Sequence, residues 1–248
     1  MLARARRIAH VPAMRARFAD AAGTGPDFRH VETWIFDLDN TLYRADSDLF
    51  AQIDARMSAY VATLLKVPLD DARRIQKDYY RDHGTTLNGL VTMHGIDPET
   101  FLENVHDIDL SLLAPDPVLN DAVARLPGRR FVFTNGCRHH AGRVLDRIGL
   151  SPLIDDVWDI RATGLRPKPE PAAYQTVIAK ARIAPARAAM FEDVARNLVP
   201  ASALGMTTVW IDNGSVWSKQ GPQYPVPQSR DIDYKTGDLA NFLGTIRI

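Results

Sequence analysis

Short apolar stretches alternate with amphipathic stretches along most of the chain. Five stretches have the composition of β-strands: residues 32–37, 129–135, 155–160, 188–193 and 207–212. Between them, apolar positions recur at helical spacing in three stretches: 139–148, 170–182 and 195–204. Gly149 and Gly205 follow two of these stretches, where helices commonly end. This alternation predicts an α/β fold with a doubly wound, Rossmann-like parallel sheet.

One connection is far longer than the others, because the chain between Thr41 and about Pro115 does not return to strand composition. Its apolar positions recur at helical spacing and predict four helices: one over 49–65, one from Pro68 to Tyr80, and two short ones divided at Gly95 and Pro98. A connection of this length inside an α/β domain indicates a separate cap or lid. We therefore expect an all-helical cap directly after the first strand.

The predicted elements divide the chain into three parts. Residues 29–41 and 115–248 form the α/β core, and residues 42–114 form the cap. The return from cap to core is expected to be a helix that begins at Pro117 and ends at Gly128. Residues 1–28 form a basic, arginine-rich arm. We interpret this arm as a poorly ordered extension or a mis-assigned start, with a targeting segment as the alternative.

The charge balance and the single cysteine exclude several classes of protein. The chain carries 30 acidic and 30 basic side chains. Such a balance gives no basis for binding a nucleic-acid polymer, which needs a concentrated basic surface. No apolar run approaches the roughly 20 residues that span a bilayer, so we expect no membrane partner and a cytoplasmic location. Cys137 is the only cysteine, which excludes an internal disulfide and a cysteine-based zinc site.

Polar residues stand at the carboxyl ends of three predicted strands: Asp37 and Asp39 after the first, Thr134 and Asn135 at the second, and Glu192 and Asp193 at the fourth. Lys168 lies between two prolines in the loop "RPKPEP", which stiffen its backbone. In an open parallel sheet, ligands bind outside the carboxyl ends of the strands. We therefore expect these side chains to meet at one site.

The paired carboxylates of Asp37 and Asp39 repel each other and are costly to bury without compensation. A hard divalent cation between this pair and a third acid would offset the repulsion. One carboxylate can then attack phosphorus, while the other protonates the leaving alcohol and later deprotonates water. A hydroxyl, backbone amides and one lysine can hold the phosphate oxygens. The set of residues therefore indicates phosphoryl transfer.

Four segments, "DLDNT", "TNG", "KPEP" and "FEDVARN", occur in this order and resemble the four motifs of the haloacid dehalogenase superfamily. The resemblance covers about residues 32–212. It implies that Asp37 is the nucleophile and Asp39 the acid/base. It also implies that Thr134 and Asn135 bind phosphate, and that Lys168 steadies the charge of both the nucleophile and the phosphate. The helical insert resembles the C1-type cap of that superfamily.

The same resemblance implies a Mg²⁺ site. Asp193 would complete it with the Asp37 carboxylate and the Asp39 backbone carbonyl. Glu192 and Asn197 would lie behind these ligands and order their loop, with a plain position on the helix surface as the alternative for Asn197. Glu192 stands where the family often has Gly or Asp, so its function as ligand or as support is left open.

The second acid separates two chemistries within the superfamily. Dehalogenases of the superfamily lack it, because a halide leaving group needs no proton, and their chemistry uses no metal. This chain has Asp39 at that position. The resemblance therefore implies a small phosphate ester as the substrate.

A narrower resemblance extends into the cap. "YYRDHGTTLNGL", "VHDIDLSLLAPDP", "FTNG" and "FEDVARNL" are similar to segments of the pyrimidine 5′-nucleotidase branch, which dephosphorylates UMP and CMP. Related capped phosphatases instead hydrolyse sugar phosphates, phosphoglycolate or pyridoxal phosphate, and these substrates stay open. The rival interpretation is a non-catalytic protein that uses this fold to bind a ligand.

The cap segment from Tyr79 to Asn88 carries a cluster of aromatic and polar residues: Tyr79, Tyr80, His83, Thr85 and Asn88. A pyrimidine ring needs stacking and amide-type hydrogen bonds, so the cluster is a candidate for substrate recognition. The alternative is ordinary packing inside the cap.

Overall fold

The computed structural model describes residues 25–222 and 224–248. Six strands form one sheet: β1 Thr33–Phe36, β2 Arg129–Phe133, β3 Asp156–Trp158, β4 Ala188–Glu192, β5 Thr207–Ile211 and β6 Tyr234–Thr236. Every pairing is parallel, and the strand order is β3-β2-β1-β4-β5-β6. This is the order of a doubly wound fold, so the predicted class is confirmed. The short edge strand β6 was not predicted.

Nine α-helices lie in the described ranges: α1 Leu49–Leu65, α2 Leu69–His83, α3 Thr86–His94, α4 Pro98–His106, α5 Pro117–Ala124, α6 Arg138–Ile148, α7 Pro171–Ala181, α8 Leu198–Ala203 and α9 Leu239–Thr245. The first four fill the long connection after β1, as the hydrophobic pattern predicts. The helix expected over 195–204 begins as a 3₁₀ turn, Ala195–Asn197, and continues as α8. Within those ranges, no helix is long and apolar enough to cross a membrane.

Local sequence signals explain where several helices begin and end. Asp97 and Asp116 each accept backbone N–H groups at the start of a helix, and a proline follows each aspartate. Gly149 ends α6 with a φ of 77°, as expected. The expected helix end at Gly128 is wrong, because α5 already ends at Ala124.

Gly128 serves the sheet instead of the helix. Its φ is 80°, and a Cβ at this position would lie 2.2 Å from the carbonyl oxygen of Glu32. The next residue, Arg129, donates its N–H to that same carbonyl over 2.9 Å. A residue without a side chain is therefore needed where the chain enters β2 against β1.

The core has two layers because alternate residues of a strand face opposite sides of the sheet. Trp34 and Phe36 of β1 join an apolar cluster with helices α5, α6 and α9. Ile35 joins a second cluster with α7 and α8 on the other side. Since both faces of β1 are covered, the residue that follows it emerges from the centre of the molecule.

The segment just before β1 belongs to the core. Phe28 is fully buried, and its ring stacks on Trp34 with 5.8 Å between the centroids. Its N–H donates to the carbonyl of Arg247 over 2.8 Å. The boundary of the predicted arm at residue 28 is therefore too late, since residues 25–28 already pack on the core. The rest of that arm, 1–24, lies outside the described residues.

The cap helices share an apolar cluster with the end of the sheet. Val61, Leu90 and Phe101 are members from the cap, and Cys137 and Ile160 are members from the loops after β2 and β3. Because these loops leave the carboxyl ends of the strands, the cap lies over that edge of the sheet. The cleft between cap and core is therefore where a ligand would be enclosed.

Candidate active site

The strand order places two acidic loops side by side. The order of the strands reverses between β1 and β4, which leaves a crevice at their carboxyl ends. Asp37 follows β1, and Asp193 follows β4. The N–H of Asp37 donates to the carbonyl of Phe191 over 2.9 Å, so the pairing of the two strands continues into the site.

Lys168 lies at the centre of a buried ion cluster. Its Nζ donates to Asp37 Oδ1 over 2.6 Å, to Glu192 Oε2 over 2.7 Å and to the carbonyl of Phe133 over 2.8 Å. An ammonium has three N–H groups, so all its donors are used. The Lys168 side chain is 1% exposed. The lysine thus arrives at Asp37 as the resemblance implies, and Glu192 is its second carboxylate.

The charges in this cluster shift the pKa values in opposite directions. Burial alone would lower the pKa of Lys168, but Asp37 and Glu192 outweigh it and hold the pKa above its ordinary value. Burial and the neighbouring charge of Glu192 raise the pKa of Asp37, although Lys168 opposes this. Burial, followed by the charges of Asp37 and Glu192, also raises the pKa of Asp193. The single positive charge of Lys168 does not neutralise the negative charges of three buried carboxylates.

The acidic loops can hold a hard cation. Asp37, Glu192 and Asp193 each offer a carboxylate oxygen, and these oxygens lie within 4.8 Å of one another. Asp193 Oδ2 is buried without a hydrogen-bond partner among the described residues. Trp210, which sequence analysis does not assign, donates its Nε1–H to the Asp193 carbonyl over 2.9 Å and fixes that loop. An all-oxygen set with an unpaired carboxylate oxygen fits Mg²⁺.

The two residues expected behind the metal ligands differ in their contacts. Glu192 accepts from Lys168 through Oε2 and from the N–H of Val194 through Oε1, over 3.2 Å. Asn197 is buried at the end of the 3₁₀ turn, and its carbonyl accepts from the Tyr174 hydroxyl over 2.5 Å. Both residues support the loop that carries Asp193.

Asp39 has partners of a different kind. Its Oδ1 accepts from the Tyr43 hydroxyl over 2.7 Å and lies 2.9 Å from His140 Nε2. Burial would raise the pKa of Asp39, but His140 and the Tyr43 hydroxyl outweigh it and hold the pKa below the ordinary value. Asp37 and Asp39 therefore differ in environment although one residue separates them.

His140 is a site residue that sequence analysis missed. It is fully buried at the first turn of α6, and its ring stacks on His106 with 4.5 Å between centroids and 12° between planes. His106 Nδ1 lies 3.2 Å from Cys137 Sγ. The available signal was a histidine four residues after the "TNG" motif, in the helix that leaves the phosphate loop.

The predicted phosphate loop has two distinct parts. Thr134 is buried, and its Oγ1 accepts the N–H of Gly136 over 2.9 Å while its own O–H stays available as a donor. The Asn135 side chain pairs with the backbone of Lys168 through Oδ1 over 2.7 Å and through Nδ2 over 3.1 Å. The Asn135 side chain therefore fixes the loop that carries Lys168. Of the polar groups of Asn135, the backbone N–H is the one that could contact a phosphate.

A cleft of about 1060 Å³, part of it open to solvent, joins these core residues to the cap. Tyr80 and Thr85 are the members of the predicted recognition cluster that line it. Its described lining does not include Tyr79, His83 or Asn88. The Tyr79 hydroxyl lies 2.6 Å from a histidine of α3, His94, and the Tyr79 ring packs on His83. For these two residues, packing within the cap is the interpretation that the contacts support.

A model of the haloacid dehalogenase-like hydrolase family matches residues 31–205 of this chain, well over half of its length. The chain belongs to the haloacid dehalogenase-like hydrolase family. The resemblance carried by the four motifs is thereby confirmed at the level of the superfamily. The pyrimidine 5′-nucleotidase branch and the functions of individual site residues stay predictions.

Curated relatives of this haloacid dehalogenase-like hydrolase include two that match most of the chain. Phosphate metabolism protein 8 of Saccharomyces cerevisiae is 26% identical over an alignment of 193 positions that covers 71% of this chain and 60% of the yeast protein. The chain thus spans less than two thirds of that relative. Glyceraldehyde 3-phosphate phosphatase of Methanocaldococcus jannaschii is 26% identical over 205 residues, 77% of this chain and 89% of the archaeal protein.

Solved structures of similar fold include a 2-haloacid dehalogenase of Pseudomonas syringae, with a TM-score of 0.54 and 18% identity over 87% of this chain and 97% of that one. The HAD-hydrolase YfnB of Bacillus subtilis, solved with bound magnesium, has a TM-score of 0.53 and 17% identity over 88% of this chain and 99% of that one. At these identities the likeness concerns the fold of the hydrolase alone.

Proposed function

We propose that this hydrolase cleaves small phosphate monoesters through an aspartyl-phosphate on Asp37, with Asp39 as acid and base and with Mg²⁺ as cofactor. The observation that carries the proposal is the pair of acids in two environments. Asp37 is bound by Lys168 in a buried ion cluster, whereas Asp39 is bound by a histidine and a tyrosine. Two carboxylates in such different surroundings suit two different functions.

In the first half-reaction, a carboxylate oxygen of Asp37 attacks phosphorus and the bond from phosphorus to the ester oxygen breaks. Asp39 gives its proton to that oxygen as it leaves. The free enzyme favours ionised Asp39, and the negative charge of a bound phosphate raises the affinity of Asp39 for the proton that it donates. Thr134 and backbone N–H groups of its loop are positioned to hold the phosphate oxygens.

In the second half-reaction, Asp39 removes a proton from water, and the resulting hydroxide attacks the phosphorus of the aspartyl-phosphate. The bond between phosphorus and the Asp37 oxygen breaks, which releases inorganic phosphate, restores the Asp37 carboxylate and leaves Asp39 protonated for the next cycle. Lys168, whose Nζ donates to Asp37, holds that carboxylate in place. Bound Mg²⁺, held by Asp37, Asp193 and the Asp39 backbone carbonyl, would offset the negative charge and favour ionised Asp37.

Metal dependence tests the cofactor in this proposal. The hydrolysis of p-nitrophenyl phosphate is measured after EDTA treatment and again after Mg²⁺ is restored. We expect activity to disappear and return, and we expect Asp193→Ala to need far more Mg²⁺ for half-maximal activity. Asp212→Ala is the matched control, since Asp212 pairs with Lys235 at the end of β5. Full activity of the wild type without metal would contradict the proposal.

For the substrate we propose a pyrimidine 5′-nucleotide, such as UMP or CMP. The support is the resemblance of the cap segments to that branch, together with a cleft that joins the core motifs to aromatic and polar side chains of the cap. The second candidate is a phosphorylated three-carbon sugar, which the archaeal relative's name favours. Relative kcat/KM for UMP, AMP, phosphoglycolate, pyridoxal phosphate and glyceraldehyde 3-phosphate decides between them.

A further inference from the structure

Outside the core motifs, the cleft has two unlike walls. One wall is apolar and is built mainly from α3 and α4, with Leu87, Phe101 and Leu102 among its members. The other wall carries charged, amide and aromatic side chains: Phe50, Asp54, Gln76, Lys77, Trp217 and Gln220. When the phosphorus of a bound ester faces Asp37, the leaving group lies against these walls, because they form the part of the cleft outside the core motifs.

The polar wall is organised around Asp54. Its Oδ1 accepts from Gln76 Nε2 over 2.7 Å and from Lys77 Nζ over 2.5 Å. Gln76 is itself fixed by the Ser58 hydroxyl, which donates to its Oε1 over 2.5 Å. Among the described residues, both hydrogen bonds to the Asp54 carboxylate fall on Oδ1. The second oxygen, Oδ2, can therefore accept a hydrogen bond from a ligand.

Lys77 and Trp217 complete this wall. Lys77 Nζ uses one N–H on Asp54, which leaves two donors. The same Nζ lies 5.2 Å from the centre of the Trp217 ring, and that ring lies 5.4 Å from the ring of Phe50. The Asp54 side chain is 18% exposed and the Lys77 side chain 38%. The wall thus presents an acceptor beside a donor, with aromatic surface next to them.

We propose that Asp54, Lys77 and Trp217 bind the leaving group, and that this group is a planar heterocycle whose edge carries a hydrogen-bond donor next to an acceptor. The Asp54 carboxylate accepts from the donor of that edge, Lys77 donates to its acceptor, and Trp217 packs on the ring. Uracil, with N3–H beside O4, and cytosine, with an amino group beside N3, both have such an edge. This inference rests on the proposed phosphatase function. It assigns recognition to Asp54 on α1, Lys77 on α2 and Trp217 after β5, in place of the cluster between Tyr79 and Asn88.

Ribose 5-phosphate provides the matched substrate, because it has the phosphate and the sugar of UMP but no base. Wild type should hydrolyse UMP with a higher kcat/KM than ribose 5-phosphate. Asp54→Asn and Lys77→Met should each lower kcat/KM for UMP on the order of 10-fold, as expected for one hydrogen bond to a charged group. Trp217→Leu should also lower kcat/KM for UMP. All three variants should change kcat/KM for ribose 5-phosphate by less than about two-fold.

Asp70→Asn is the control variant, because Asp70 lies on α2 with its side chain almost fully exposed. This variant should leave kcat/KM unchanged for both UMP and ribose 5-phosphate. A parallel loss for UMP and ribose 5-phosphate would assign the network to cap packing and overturn the inference. A wild type that hydrolyses both esters equally would overturn it as well, while the phosphatase proposal would stand.

Failure of the phosphatase proposal is recognised separately, because then no phosphate ester turns over. In that case, equilibrium binding of UMP to Asp37→Asn protein decides the inference. The inference is supported if UMP binds more tightly than ribose 5-phosphate and if the added change Asp54→Asn weakens the binding of UMP. Binding that is absent, or that Asp54→Asn leaves unchanged, overturns it.

Discussion

At the scale of single residues, Asp39 is distinguished by what holds it. Lys168 binds Asp37 and Glu192, whereas His140 and Tyr43 bind Asp39. Spacing alone predicted that the two acids share a site, since both follow one buried strand. It could not predict their partners, because His140 reaches Asp39 from helix α6, 101 positions along the chain.

Asp39→Asn removes the proton donor and base while keeping the shape of the side chain. Turnover should fall roughly 10²–10⁴-fold for each proton-transfer function. p-Nitrophenol is a good leaving group that needs little protonation. Formation of the phospho-enzyme, measured by rapid quench, should therefore suffer less with p-nitrophenyl phosphate than with UMP. Equal losses in this step for the two esters would exclude Asp39 as the acid.

His140→Leu removes the hydrogen bond that orients Asp39. We expect kcat to fall on the order of 10-fold with little change in KM, because one charge-assisted hydrogen bond is lost away from the bound ester. His140→Gln should recover part of the loss, since an amide can donate to Asp39. The control is His139→Leu at the exposed neighbouring position. A rise in KM without a fall in kcat would contradict this positioning function.

At the scale of elements, helix α2 is tied to the loop that carries Asp193. Arg196 Nη2 donates to the Tyr80 hydroxyl over 2.7 Å, and the backbone at Gly221 approaches the Tyr80 ring so closely that a Cβ there would lie 2.4 Å from it. Arg196 Nε is buried without a partner among the described residues. Tyr80 is therefore a contact between cap and core as well as part of the cleft.

Tyr80→Phe tests this contact because it removes only the hydroxyl. The half-buried guanidinium of Arg196 loses an acceptor, so the free energy of unfolding should fall by about 1–3 kcal/mol. The kcat/KM values for UMP and p-nitrophenyl phosphate should fall by similar factors, since the contact holds the cap against the core. Tyr79→Phe, whose hydroxyl contacts His94 within the cap, is the control. A fall in kcat/KM for UMP alone would show instead that Tyr80 contacts the base of the substrate.

Elements with strong periodicity could be predicted, and short ones could not. The four cap helices and five strands follow from apolar spacing, because each buries one face. Strand β6 has three residues and no buried position, so its place in the sheet depends on pairing with β5. Gly128 was misassigned, since a positive φ serves a close backbone approach as readily as a helix end.

At the scale of the whole molecule, a buried titratable group lies where cap and core meet. His106 ends α4 of the cap and packs on His140 of the core. Burial, and then the neighbouring His140, lower the pKa of His106 to about 3. The unfolded chain takes up this proton near pH 6.5. Between these pH values the unfolded state binds more protons, so the free energy of unfolding should fall as the pH is lowered from about 6.5 toward 3.

The predicted contribution of His106 is a slope of up to about 1.4 kcal/mol per pH unit in that window. Denaturant unfolding between pH 7 and pH 4 measures it, and His106→Phe provides the comparison, because it keeps an aromatic ring that cannot be protonated. The variant should lose stability less steeply than wild type as the pH falls. Identical slopes would mean that His106 is not kept neutral by burial.

The central claim is that Asp37 carries the phosphoryl group, and trapping that intermediate tests it most directly. Wild-type protein is mixed with a ³²P-labelled phosphate ester and Mg²⁺, quenched in acid within the first turnover, and digested for peptide mapping. We predict label on the peptide that contains Asp37, and no label in Asp37→Asn, which should fold normally and lose activity by several orders of magnitude. Turnover of the ester by wild type without label at Asp37, or substantial activity of Asp37→Asn, would contradict the account.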